Sequence, residues 1–209
     1  METLEAQPSA FVPEVLGRRD YRIIGEIVDD GARVLDLGCG EGDLLAWLEQ
    51  RKHAEARGVE ISTEKVRKCV AQGLSVYQSD IDAGLADYPD HCFDFVILSQ
   101  TLQEARKPQI VLREMVRVGH RAIVAFPNFG HWSVRLSLAW RGRAPKTGHL
   151  PYEWYETPNI HFVTIPDFED LVHHEGLEIE RSYFLRGDRQ VTLRPSLLAD
   201  SAVYLIRNP

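Results

Sequence analysis

Arg33-Val34-Leu35-Asp36-Leu37-Gly38-Cys39-Gly40-Glu41-Gly42 is the stretch that decides the fold. The apolar run 34–37 has the length of a buried strand, glycines at 38, 40 and 42 make a tight turn, and residues 43–48 crowd apolar side chains onto one helical face. A glycine has no Cβ, so the turn's backbone takes positive φ and lies close against a ligand, while the next helix presents unpaired N–H groups. Strand, turn and helix in this order form a ligand cradle at the carboxyl end of the first strand of an open α/β sheet.

Spacing narrows the ligand. A dinucleotide fingerprint reads G-x-G-x-x-G and must hold a pyrophosphate. Here the glycines read G-x-G-x-G, and Asp36 stands two residues before the first of them. A carboxylate at that point repels phosphate and suits a cationic group. Two more acids close short apolar segments downstream. Glu60 ends the segment 56–60, where a carboxylate can accept hydrogen bonds from a ribose diol, and Asp80 ends the segment 74–79. Three acids at three successive strand ends beside one glycine turn point to a shared pocket.

A chain of 209 residues with 44% hydrophobic content is expected to form one domain with a full core. Residues 1–15, with Pro8 and Pro13 and no periodicity, read as an N-terminal arm, and 16–209 as the domain. The net charge of −7 argues against a nucleic-acid surface, the basic stretch 135–146 being the local exception. Cys39, Cys69 and Cys92 show no C-x-x-C spacing and the histidines no ligand spacing, so neither a metal site nor a disulfide framework is expected. A reducing cytoplasm fits that usage. No apolar run is long enough for a membrane span, and the acidic N-terminus is not a signal peptide.

Along the chain, residues 16–28 form an amphipathic helix with Arg18, Arg19, Asp20 and Arg22 between its apolar positions, ended by Asp30-Gly31. Ser62 is the N-cap of a helix stopped by Gly73, and Pro108 opens a helix stopped by Gly119. The very apolar 93–98 reads as a strand covered on both faces, and its polar end brings Ser99 and Gln100 to the sheet's crevice. Residues 121–126 are a fifth strand. Thr164 caps a helix closed by Gly176, after which 177–185 and 201–207 read as two strands without a helix between them, able to pair antiparallel. The expected fold class is therefore α/β and Rossmann-like, mainly parallel and seven-stranded, with an antiparallel C-terminal strand and helices on both faces.

Between the fifth strand and the last long helix, 127–163 is too long for an ordinary connection and rich in rings. Trp132, Leu136 and Trp140 recur at four-residue spacing and predict a helix, its rings open to a reading as core or cap packing or as a substrate box, with Arg135, Arg141 and Arg143 largely on the wet side. Tyr152, Trp154 and Tyr155 lie in one proline-bracketed loop that reads as a lid or a partner surface. His161 reads as a structural, hydrogen-bonded residue rather than a general base, and no catalytic residue is named.

The glycine turn with its acid resembles motif I of the class I S-adenosylmethionine-dependent methyltransferases. Pro127-Asn128-Phe129-Gly130-His131-Trp132, the run from Leu150-Pro151-Tyr152 to Asn159-Ile160-His161, and Leu98-Ser99-Gln100-Thr101-Leu102-Gln103 resemble more narrowly the bacterial methionine biosynthesis family MetW. The resemblance implies S-adenosylmethionine or S-adenosylhomocysteine as ligand. It carries Asp36, Gly38, Cys39, Gly40 and Gly42 over as the turn of that site, with Glu60 and Ile61 at the ribose. It likewise implies that Asp80 meets the adenine amino group, that Ile81 flanks the ring, and that Ser99 and Gln100 reach the sulfur-bearing arm. It further implies a role beside the homoserine O-acyltransferase MetX as a partner or regulatory subunit, the alternative being an active methyltransferase on an unidentified small acceptor.

Overall fold

Val34, Leu35 and Leu37 are buried on both faces of β1 (Arg33–Leu37), as a continuous apolar run requires. The computed structural model describes residues 18–147, 150–187 and 189–209. The expected arm 1–15 and the expected helix start at Leu16 lie outside these. The first described helix is α1 (Arg19–Ile27), followed after β1 by α2 (Asp43–Lys52), β2 (Glu55–Glu60), α3 (Thr63–Ala71) and β3 (Ser75–Gln78). Then come β4 (Phe93–Ser99), α4 (Pro108–Val118), β5 (Gly119–Pro127), α5 (Trp132–Arg141) and α6 (Ile165–His174). The chain ends in β6 (Glu178–Arg186), β7 (Arg189–Gln190), α7 (Pro195–Leu198) and β8 (Ser201–Arg207), so a single turn of helix opened by Pro195 stands between strands for which no intervening helix was expected.

The strands lie in the order β3-β2-β1-β4-β5-β8-β6-β7. β1 to β5 are parallel, and β8 is antiparallel to both β5 and β6. The seven expected strands are all present, and the two-residue β7 returns on β6 as an eighth. β1 pairs with β2 on one side and β4 on the other, so the strand order reverses there and a crevice opens at their carboxyl ends.

Alternation along the strands divides the core. Leu35, Val96, Leu98, Val124 and Tyr204 face α4 and α6, while Val34, Phe95, Ile97, Ile123 and Val203 face α1 and α2. The helix starts follow their caps: Ser62 Oγ accepts from Lys65 N and Thr164 Oγ1 from Asp167 N.

The insertion behaves differently from a core helix. On α5 only Val134 is buried, and the ridge Trp132, Leu136 and Trp140 faces outward, Trp140 being 83% exposed. The spacing made the helix legible, but none of the described elements buries that face. What holds the insertion's entry is Asn128, fully buried. Its Nδ2 donates to Ser196 O at 3.0 Å and Ala199 O at 2.8 Å, and its Oδ1 accepts from Gly130 N at 2.8 Å. Asn128→Ala strands three backbone groups, two of them in buried hydrogen bonds, and should cost about 2–4 kcal/mol. A urea midpoint lowered with an unchanged slope would show it, and a loss under about 0.5 kcal/mol would contradict it.

Candidate functional site

The turn after β1 is tied to β2 before any ligand is considered. Gly38 N and Cys39 N both donate to Val59 O, at 2.7 and 3.1 Å, and Gly40 N donates to Glu60 Oε2 at 2.9 Å. Gly38 has φ +71°, and a Cβ there would lie 2.7 Å from Thr101 Oγ1, so conformation and packing both demand glycine. Gly40 has φ +61° and nothing within 4 Å of where a Cβ would stand. That open space is part of a cavity of about 500 Å3 at the carboxyl ends of β1 to β4.

The cavity brings together ten of the eleven residues singled out from the sequence. Asp36, Gly38, Cys39 and Gly40 line it from β1 and its turn, Glu60 and Ile61 from β2, Asp80 and Ile81 from β3's end, and Ser99 and Gln100 from β4's. Gly42 does not line it. It has φ +88°, stands before α2 as the N-cap, and its open side faces Leu74 and Cys69, so its part is to bend the chain.

Glu60 is buried, and its second oxygen accepts from Ser62 N at 2.9 Å, which fixes the carboxylate in the plane of the turn. Asp80 accepts from Asp82 N at 2.9 Å and caps a short 3-10 turn, so it has a structural task as well as a place on the wall. Ser99, on the same wall, is already hydrogen-bonded within the protein. Its hydroxyl is engaged with α1, donating to Asp20 Oδ2 at 2.6 Å and accepting from Arg18 at 3.1 Å. Gln100 has φ +58°, held by its N–H on Ala125 O and by Gln103 Nε2 on its carbonyl. A non-glycine residue in that region at the mouth of a crevice is strained backbone kept by its surroundings.

Asp36 is the electrically costly group. It is buried, no described residue donates a hydrogen bond to it, and burial pushes its carboxyl up to about 7, with Arg18 opposing the rise. Burial also raises Glu104 on the same wall and the Cys39 thiol. A hard-to-ionise thiol is a poor nucleophile, so Cys39 is a wall residue.

Sequence reasoning missed the contribution of α1. Arg18, assigned to a wet face, lies over the Tyr21 ring at 4.0 Å, donates to its hydroxyl, and pairs with Asp20 at 2.5 Å. Asp20 is buried rather than exposed. The signal was present: Asp20, Ile24 and Val28 follow one another at four-residue steps, so the acid belongs to the buried stripe. Ile160 also lines the cavity, brought there when the N–H groups of Ile160 and His161 donate to Gln103 O. No local pattern announces a contact from so far along the chain.

A strand order with this reversal, a glycine turn after β1 and acids at the next two strand ends define a domain of the class I methyltransferase type. The family model described as "Methionine biosynthesis protein MetW" matches residues 18–206, and the chain belongs to that family. It is 36% identical over 215 residues to a bifunctional methionine biosynthesis protein MetXA/MetW of Rhodopirellula baltica, covering 97% of this chain and 34% of that one. The chain spans about a third of the length of the first curated relatives it matches, 34% and 31%. An S-adenosylmethionine-dependent methyltransferase from Mesorhizobium loti shares the fold at TM-score 0.71 and 18% identity, over 93% of this chain and 100% of that one. The [4+2]-cyclase SpnF does so at TM-score 0.64 and 16% identity, over 91% and 81%. Among the described residues no helix is long and apolar enough to cross a membrane.

Asp36 makes the ligand-free protein sensitive to pH with a definite sign. Between its ordinary value of 3.8 and about 7, the native state keeps a proton that the unfolded chain has released. Stability contributed by this group therefore falls as pH rises through that window, by at most about 1.4 kcal/mol per unit, and is flat above it. Urea melts of the protein and Asp36→Asn should show the variant gaining on the wild type from pH 5 to 7. A gap that does not change with pH would contradict this.

Proposed function

We propose that the cavity at the ends of β1 to β4 binds S-adenosylmethionine or S-adenosylhomocysteine, and that the protein acts with the homoserine O-acyltransferase MetX as a partner or regulatory subunit. One observation carries the ligand reading: a buried carboxylate, Asp36, opens onto the cavity with no described donor, so a cationic group gains most by entering. Gly38 and Gly40 let the amino-acid end approach the backbone, with Cys39 beside them and Gly42 shaping the bend. Glu60 has lone pairs left for ribose hydroxyls beyond its two backbone bonds, and Ile61 covers that edge. Asp80 and Ile81 take the adenine, its amino group and its face. Gln100 and Ser99 stand toward the sulfur-bearing arm, Ser99 through its link to Arg18 and Asp20. When bound, S-adenosylmethionine supplies a sulfonium methyl group.

The partner reading draws on the fused name of the Rhodopirellula relative and on the outward ridge of α5. Trp140 and Trp154, 83% and 73% exposed, with Arg141 nearby in the chain, have the composition of an interface hot spot. Ligand in the first cavity regulates such a partner only by binding the free and complexed forms with different affinity. The three free thiols fit a cytoplasmic setting.

A second reading, methyl transfer to a small acceptor, is favoured by the loop at 159–160. Ile160 walls the ligand cavity while Asn159 walls a larger apolar one. Release of S-adenosylhomocysteine with a small acceptor would turn the assignment to that reading.

Affinity capture of the acyltransferase from a bacterial lysate, with and without S-adenosylmethionine, tests the preferred one. Capture should survive Asp36→Ala and weaken at least about tenfold in Trp140→Ala and Trp154→Ala. Capture indifferent to both tryptophans would discard this docking surface.

A further inference from the structure

The larger cavity is lined by the insertion, with Thr164 at the start of α6 as its one wall residue from beyond it. It holds about 940 Å3, the size of a small-molecule site rather than a packing defect. Phe129 at the end of β5, Val134 and Leu138 on α5, and Leu150, Trp154 and Phe162 from the loop make its walls apolar. Its charges are unequal. Glu153 on the wall is engaged by Lys146 at 2.7 Å, so that pair is neutralised within the protein. Arg143, also on the wall, has no carboxylate partner among the described residues. Asn159 lines the same space, its side-chain amide has no hydrogen-bond partner among the described residues, and its backbone N–H is held by Thr157 Oγ1.

We infer that this cavity binds a small amphipathic carboxylate, an acyl or aryl body seated among the rings with its carboxylate on Arg143. A guanidinium meets a carboxylate through two parallel N–H donors, and beside apolar walls that pairing is less screened than in water. A cationic ligand has no acid to meet there, because Glu153 is already engaged. A neutral apolar ligand leaves the guanidinium unused. The inference stands whether or not the first cavity takes a nucleoside, since the two share no lining residue.

The test uses the full chain, without nucleoside, and two fluorescent probes: the aromatic anion 8-anilino-1-naphthalenesulfonate and the neutral N-phenyl-1-naphthylamine. Octanoate should displace the anionic probe from one site per chain. Arg143→Ala should weaken the anionic probe and octanoate about tenfold or more, Arg143→Lys should restore part of that, and neutral-probe displacement by 1-octanol should be unchanged. Leu138→Trp, which fills the cavity, should remove both probes with the circular dichroism intact, and Trp140→Ala on the outer ridge should alter neither. Equal loss of neutral and anionic probes in Arg143→Ala would overturn the inference. So would loss of binding in Trp140→Ala with retention in Leu138→Trp, which would make the surface a protein-docking face only.

Discussion

Asp36 sits inside the sheet with no described hydrogen-bond donor, and the ligand end of the fold is arranged around that carboxylate. Removing a carboxylate from water without a partner is expensive, and here the expense appears as a proton held to about pH 7. Arg18 supplies the opposing field from the entry to α1, and Arg18 is itself held by Asp20, Tyr21 and Ser99. The strand that makes the turn, the helix that leads in and the end of β4 are thus coupled through one electrostatic problem.

The strands, the turn and the acids were legible because each depends on local chemistry. A buried strand needs an apolar run, a left-handed turn needs glycine, and a helix needs a cap. Periodicity also found α5. It could not say which way the helix faces, since Trp132, Leu136 and Trp140 have the spacing of a core stripe and the decision lies with packing, which no described element supplies on that side. Asp20 failed for a related reason: an acid among arginines was assigned to solvent, whereas its four-residue relation to Ile24 put it inside. Ile160 and Gln103 meet through main-chain hydrogen bonds between segments far apart in sequence, and no residue type signals such a contact.

The fold leaves the chemistry open, as the cyclase among its structural neighbours illustrates. What distinguishes this chain is the insertion. Asn128 pins its entry to the C-terminal loop, Gln103 pins its exit to the end of β4, and between the two pins it carries an outward aromatic ridge and an apolar cavity. Gln103 also holds the strained Gln100, so the end of the insertion and the mouth of the first cavity share one anchor.

Isothermal titration of the purified chain with S-adenosylhomocysteine, S-adenosylmethionine and ATP tests the central claim most directly. A carboxylate-lined pocket that prefers a cationic nucleoside predicts one binding site per chain for the two sulfur nucleosides and no heat with ATP, whose phosphates Asp36 repels. No heat with either sulfur nucleoside, or ATP binding as tightly as they do, would contradict it.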